Sequence, residues 1–151
     1  MPFIVLALII AAALGATVSV AAQDSLPGDP LWGFKVHINE GAAAALAAEG
    51  RAQADLDLAA IATRLQEAAT LSAKGILSPA AKAELEANIA GHAERIETEI
   101  KKLQTHGDYL GAADVATRFQ ATVAQGVSGP LDLQAVLDRA SALSASATPL
   151  P

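Results

Sequence analysis

The side chains that could carry chemistry are few: three histidines, sixteen aspartates and glutamates, and no cysteine. Without cysteine there is no thiol nucleophile, no disulfide and no thiolate zinc site. His37 and Glu40, in the run HINE, stand three residues apart. On a helix that spacing could supply one edge of a metal site. The second histidine of a zincin helix is missing, so the pair would need ligands from elsewhere. His92 falls on an apolar stripe. A metal held there calls for a second ligand one turn away, but positions 88, 89, 95 and 96 are Asn, Ile, Arg and Ile. The expectation for His92 is a seam residue bonded to a backbone group or a carboxylate. His37, Glu40 and His92 are thus weak metal candidates, and no metal or cofactor is expected. His106 lies in the last turn of a helix, where a cation complements the dipole.

Other chemistries find less support. Glu84, Glu86, Glu94, Glu97 and Glu99 mostly face outward and read as a solvated helix face. The run GVSGP lacks G-x-S-x-G spacing, and the glycines are scattered as caps and breaks rather than gathered in a phosphate loop. No nucleophile–base pair is visible, so the chain is not expected to be an enzyme. Its net charge of −6 argues against a nucleic-acid partner, which needs clustered Lys and Arg.

The elements that must position these residues are helices. From about Glu40 to Lys74, Leu58, Ile61, Leu65 and Ala68 recur at helical steps, with Arg51 and Asp55 as an outer i,i+4 pair. Gly75 should stop this helix. Ser78-Pro79 announces a second helix running to about Thr105, before Gly107. Its stripe is Leu85, Ile89, His92, Ile96, Ile100 and Leu103, and Glu97–Lys101 and Glu99–Lys102 sit outside. Asp108 can cap a third helix through about Gln125, striped by Tyr109, Ala113, Ala116, Phe119 or Gln120, and Val123. Pro130 should open a short fourth helix bearing Leu133, Val136, Leu137 and Ala140. The two long helices, joined by a few residues, must be antiparallel neighbours. The fold class expected is all-α: an antiparallel long-helix hairpin extended to a three- or four-helix bundle, after an N-terminal apolar leader. The boundaries are leader 1–23, lead-in turn and clamp 24–40, bundle 41–144 and a disordered tail 145–151.

The leader sets the expected location. Residues 1–23 carry no charged side chain. One reading is a secretory signal peptide, with Phe3 to Leu14 as the apolar region, Val20 and Ala22 as the small residues, and cleavage before Gln23. The other is an uncleaved anchor, since about 20 apolar residues at 1.5 Å each just cross a hydrocarbon core of ~30 Å. Both place the rest of the chain outside the cytoplasm, secreted or anchored to a membrane by residues 3–22.

Between leader and bundle stands SLPGDPLWGFK, residues 25–35. Pro27-Gly28 suits the centre of a type II turn, and Asp29-Pro30 a helix cap followed by proline. Leu31, Trp32 and Phe34 would pin the start onto the bundle, and the Lys35 stem would lie on apolar surface with its ammonium in water. Leu26, Pro27, Gly28, Asp29, Trp32 and Lys35 are therefore a structural clamp or, in the competing reading, the lip of a binding site. The stretch resembles a bacterial family of extracytoplasmic domains of unknown function, whose start reads Ser-Leu-Pro-Gly-Asp-x-Leu-aromatic-x-x-Lys after a signal or transmembrane segment. Ser25, Leu26, Pro27, Gly28, Asp29, Leu31, Trp32 and Lys35 match it, whereas Gly33 stands where the family often has proline. The resemblance spans residues 25–125 and implies sensing or partner binding, because some relatives place this domain on regulators of anti-sigma type.

The expected function is thus a non-catalytic extracytoplasmic helical module, binding a protein or an envelope component or serving regulation. The alternative is a metal- or stress-responsive helical protein of periplasmic type, using His37, His92 and acidic residues. An uncleaved leader would add the membrane as a partner, and the run Ala42 to Ala45 could form the face of a homodimer.

Overall fold

The computed structural model describes residues 22–23, 25–36 and 50–147. The leader through Ala21, His37, Glu40 and the run Ala42 to Ala45 lie outside the described residues. The described chain is helix and turn, with no strand among these residues. It divides into two compact units, Met1–Ala45 and Leu46–Pro151. In the first, the described part is a turn over residues 26–29 followed by a one-turn helix α1, Trp32–Phe34.

The second unit holds α2 (Arg51–Ala73), α3 (Pro79–Thr105), α4 (Tyr109–Val127) and α5 (Gln134–Ala147). Helices α2, α3 and α4 pack on one another, and α5 lies on α4 and α3. The starts follow local chemistry. Ser78 accepts the Ala81 amide on its hydroxyl at 3.1 Å with proline next in the chain, and Asp108 accepts the Gly111 amide at 2.9 Å. Both caps are as the residues predict.

Three boundaries differ from expectation. The helix expected from about Glu40 begins, among the described residues, only at Arg51, after Gly50, whose φ of 82° is outside helical geometry. The last helix does not open at Pro130 but four residues later. Leu131 and Leu133 are first used as buried plugs in the connecting loop, which holds the chain off helical geometry. That helix then continues through Ala147, three residues into the segment expected to be a disordered tail, with Ala147 itself buried.

The core is built from Leu58, Ile61 and Ala68 of α2, Leu85, Ile89, Ala93, Ile96, Ile100 and Leu103 of α3, and Ala112, Val115, Ala116, Phe119 and Val123 of α4. Tyr109, expected on the α4 stripe, is exposed, because the buried face of that helix runs through Ala112 and Val115 instead. Gly126 explains how closely α4 can approach. A Cβ there would collide with Leu65 Cδ2 and lie 2.9 Å from Leu133 Cδ1, so the absence of a side chain lets both leucines seat.

Candidate functional site

Helix α3 carries two adjacent stripes. One is the apolar seam just named. Beside it run Asn88, His92, Arg95 and Glu99, spaced four, three and four residues apart and so on one face. Helix α2 answers with Gln53, Asp57, Arg64 and Glu67. Asp57, Arg64, Glu67, His92 and Glu99 are all buried. These side chains meet in three layers along the α2–α3 hairpin.

At the end where α2 begins, Glu99 accepts the Gly50 amide at 3.1 Å and the Lys102 ammonium at 2.7 Å. Glu99 was expected on the solvated face. It is instead drawn in, because Gly50 leaves an amide at the helix start that needs an acceptor. In the middle layer, Asp57 Oδ1 accepts Arg95 Nε at 2.8 Å and lies 2.7 Å from His92 Nδ1, while Gln53 donates to Oδ2 at 3.4 Å. In the far layer, Arg64 Nη1 donates to both Glu67 oxygens at 2.9 and 2.8 Å, and Nε donates to Asn88 Oδ1 at 2.8 Å. Arg64, Glu67 and His92 each make a further interaction besides these.

The middle layer fixes a proton. His92 Nδ1 also lies 2.6 Å from Arg95 Nη2. One ring nitrogen cannot donate to Asp57 and accept from Arg95 at once. Asp57 decides between them. Burial is the largest single influence on its carboxyl and opposes ionisation. Hydrogen bonds from His92 and Arg95, the Arg95 charge and the Gln53 amide together outweigh it, and the group titrates below the ordinary aspartate range. An ionised Asp57 is an acceptor, so Nδ1 carries the hydrogen and donates to it. The guanidinium then abuts the ring rather than bonding to it.

This arrangement makes the bundle sensitive to acid. Because the folded-state value of Asp57 is depressed, its contribution is fully present above the unfolded value of 3.8 and is lost as pH falls through the lower folded value. Asp108, held down by the Gly111 amide and by Arg51, acts with the same sign. Denaturant midpoints should therefore be level above about pH 5 and drop steeply below pH 4. In Asp57→Asn that drop should be shallower. An equal drop in the variant and the parent would remove Asp57 from the account.

His92 therefore lies where the sequence places it, on the seam against a carboxylate. A guanidinium 2.6 Å from Nδ1 makes a poor neighbour for a metal cation. The other two metal candidates, His37 and Glu40, lie outside the described residues. Among the described residues no three His, Asp or Glu side chains are grouped to hold a metal ion. No described helix is long and apolar enough to cross a membrane.

The lead-in residues form a clasp by themselves. Asp29 N–H donates to Leu26 O at 2.9 Å across Pro27-Gly28, and Gly28 has a φ of 99°, which a type II turn requires. Asp29 does not cap a helix as expected. Its carboxylate turns back to accept the Leu26 amide at 2.8 Å, closing the turn a second time, and α1 starts later with Leu31 as its uncapped first flank. Ser25 donates from both its amide and its hydroxyl to Ala22 O. Lys35 also departs from the expected position. Its ammonium is not left in water but is buried, donating to Ser25 O at 3.3 Å, because the folded-back segment brings that carbonyl within reach. Trp32 is buried, 4% exposed.

The outer pairs also re-sort. Arg51 does not pair with Asp55 along its own helix. It grips Asp108 with Nε and Nη2 at 2.9–3.1 Å, and Asp55 goes to Arg118 of α4 at 2.6 Å. The expected pair Glu97–Lys101 forms at 2.8 Å, and Arg118 also reaches Asp114 of its own helix at 3.1 Å.

No protein-family model matches the chain, and no curated protein and no solved structure is significantly similar to it.

Proposed function

We propose that this chain is a non-catalytic, extracytoplasmic helical module that binds a protein or an envelope component, delivered or tethered by its apolar N-terminal segment. The observation that carries this reading is the distribution of charge: residues 1–23 carry no charged side chain, and every charged side chain lies after residue 23. A segment so apolar suits export or anchoring, whereas the bundle after it is an ordinary acidic water-facing surface. Two further features support a binding role. Residues 25–35 resemble the start of a family of extracytoplasmic domains, and that resemblance implies partner binding. The imidazole best placed for chemistry, His92, is committed to Asp57 inside the hairpin.

Cell fractionation with a protease-accessibility assay tests the reading. The bundle should be cleaved by protease added outside the cytoplasmic membrane. Full-length protein found only in the soluble cytoplasm would overturn it. Mass spectrometry of the N-terminus separates cleavage before Gln23 from retention of the anchor.

A further inference from the structure

The expected cleavage point, between Ala22 and Gln23, lies within the described residues, and its carbonyl is already in use. Ala22 O accepts the Ser25 amide at 3.1 Å and the Ser25 hydroxyl at 2.6 Å. Ala22 has helical backbone and no exposed surface, whereas Gln23 is exposed. Ser25 is held in its turn. It is buried, and its own carbonyl accepts the Lys35 ammonium at 3.3 Å. Next in the chain, Leu26 and Asp29 close their turn from both sides.

A leader peptidase needs the opposite arrangement. It reads small side chains at the third and first positions before the cut, here Val20 and Ala22. Side chains two positions apart point the same way only in an extended chain. The enzyme's nucleophile adds to the carbonyl carbon, and the carbonyl oxygen must then accept donors of the enzyme as negative charge develops on it. A carbonyl oxygen has two lone pairs, and Ser25 brings a donor to each.

We propose that Ser25 shuts the Ala22–Gln23 bond against leader peptidase, so that the exported chain keeps its apolar N-terminal segment as an anchor. Retention rests on the extracytoplasmic reading above and selects one of its two forms. Timing favours the closed bond. The contacts that close it span three to ten residues, and a loop of ten residues closes in about 10–100 ns. Enzymes turn over on the order of 1–1000 times per second. The clasp therefore forms before the peptidase acts, and cleavage follows only the fraction of chains in which it opens.

The purified full chain in detergent micelles, incubated with a purified leader peptidase and followed by mass spectrometry, tests this apart from the protein's location. Ser25→Pro removes both donors, and Ser25→Ala removes the hydroxyl alone. Ser25→Pro should be cut before Gln23 about tenfold faster than the parent or more, two hydrogen bonds being lost, with Ser25→Ala between them. A parent cut as fast as Ser25→Pro overturns the proposal and leaves the extracytoplasmic reading standing. If neither is cut, the Ser25 bonds are not what protects the site, and the proposal falls as well. Cleavage of Ser25→Pro that comes with loss of the bundle's helical circular dichroism assigns the protection to the fold at large and also overturns it. Recovery of the chain only from the soluble cytoplasm of cells would remove the extracytoplasmic reading, and the anchor with it, whatever the peptidase does.

Discussion

Replacing Arg64 with alanine should destabilise the bundle by about 3–5 kcal/mol, the range for removing one member of a buried ion pair. Arg64 has no exposed side-chain surface, and Glu67 beside it is 5% exposed. The substitution strips Glu67 of a donor to both oxygens and Asn88 of its partner, and it leaves a carboxylate sealed from water. Most of the loss comes from leaving the buried Glu67 carboxylate without its guanidinium rather than from the attraction given up. The double variant Arg64→Met, Glu67→Met should therefore recover a large part of the stability, since it fills similar volume with no lone charge. Chemical denaturation of the parent, both single variants and the double completes the cycle. An Arg64→Ala loss under about 1 kcal/mol, in the range of exposed pairs, would show that water reaches the site and that the layer is not buried in solution.

Phe119→Ala should have an effect of the same size for a different reason. Phe119 is the largest fully buried apolar side chain among the described residues, and it stands on an α4 stripe otherwise made of glycine, alanine and valine. A seam so rich in alanine has few long side chains able to move into the space left behind. The expected cost is about 3–5 kcal/mol, the sum of lost transfer energy and an uncollapsed cavity. Tyr109→Ala on the same helix removes a ring of nearly equal size from an exposed site and should stay within about 0.5 kcal/mol. Thermal melts of the pair make the comparison. Similar losses for both would mean that the burial on α4 is wrongly assigned.

The residues that announced themselves in the sequence were those acting locally. Ser78-Pro79, Asp108, Gly75 and Gly107 mark helix ends through bonds spanning a few residues, and each end falls where they place it. The apolar stripe of α3 was equally legible, because burial there follows from side-chain type alone. The polar layers were not. Asp57, Arg64, Glu67 and Glu99 look like a solvated face to any rule that puts charge outside, and their burial depends on partners met across the hairpin. Asp57 and His92 are 35 residues apart. A signal did exist: Asn88, His92, Arg95 and Glu99 repeat with the same steps as the apolar stripe beside them. Arg51 shows the same limit on the surface. An i,i+4 partner lies at hand in Asp55, but the fold offers a two-nitrogen grip on Asp108, 57 residues on, and the stronger geometry wins. For Lys35, the ammonium was drawn inward by a carbonyl that only the closed turn presents.

The three layers also dictate how the hairpin must slide into place. Alanine-rich helices have few side chains large enough to lock their relative position, and a shift of one heptad keeps apolar residues against apolar ones. The charges do not permit it. If α2 moved seven residues toward the C-terminal end of α3, Asp57 would take the place of Gly50 and face Glu99, and Arg64 would take the place of Asp57 and face Arg95. Two opposite-sign or neutral contacts would become two like-charge contacts, the one at Glu99 in a site nearly closed to water, where repulsion is least screened. The buried ions thus act less as cement than as a key, costly to seal away yet accepting only one alignment of two otherwise slippery helices.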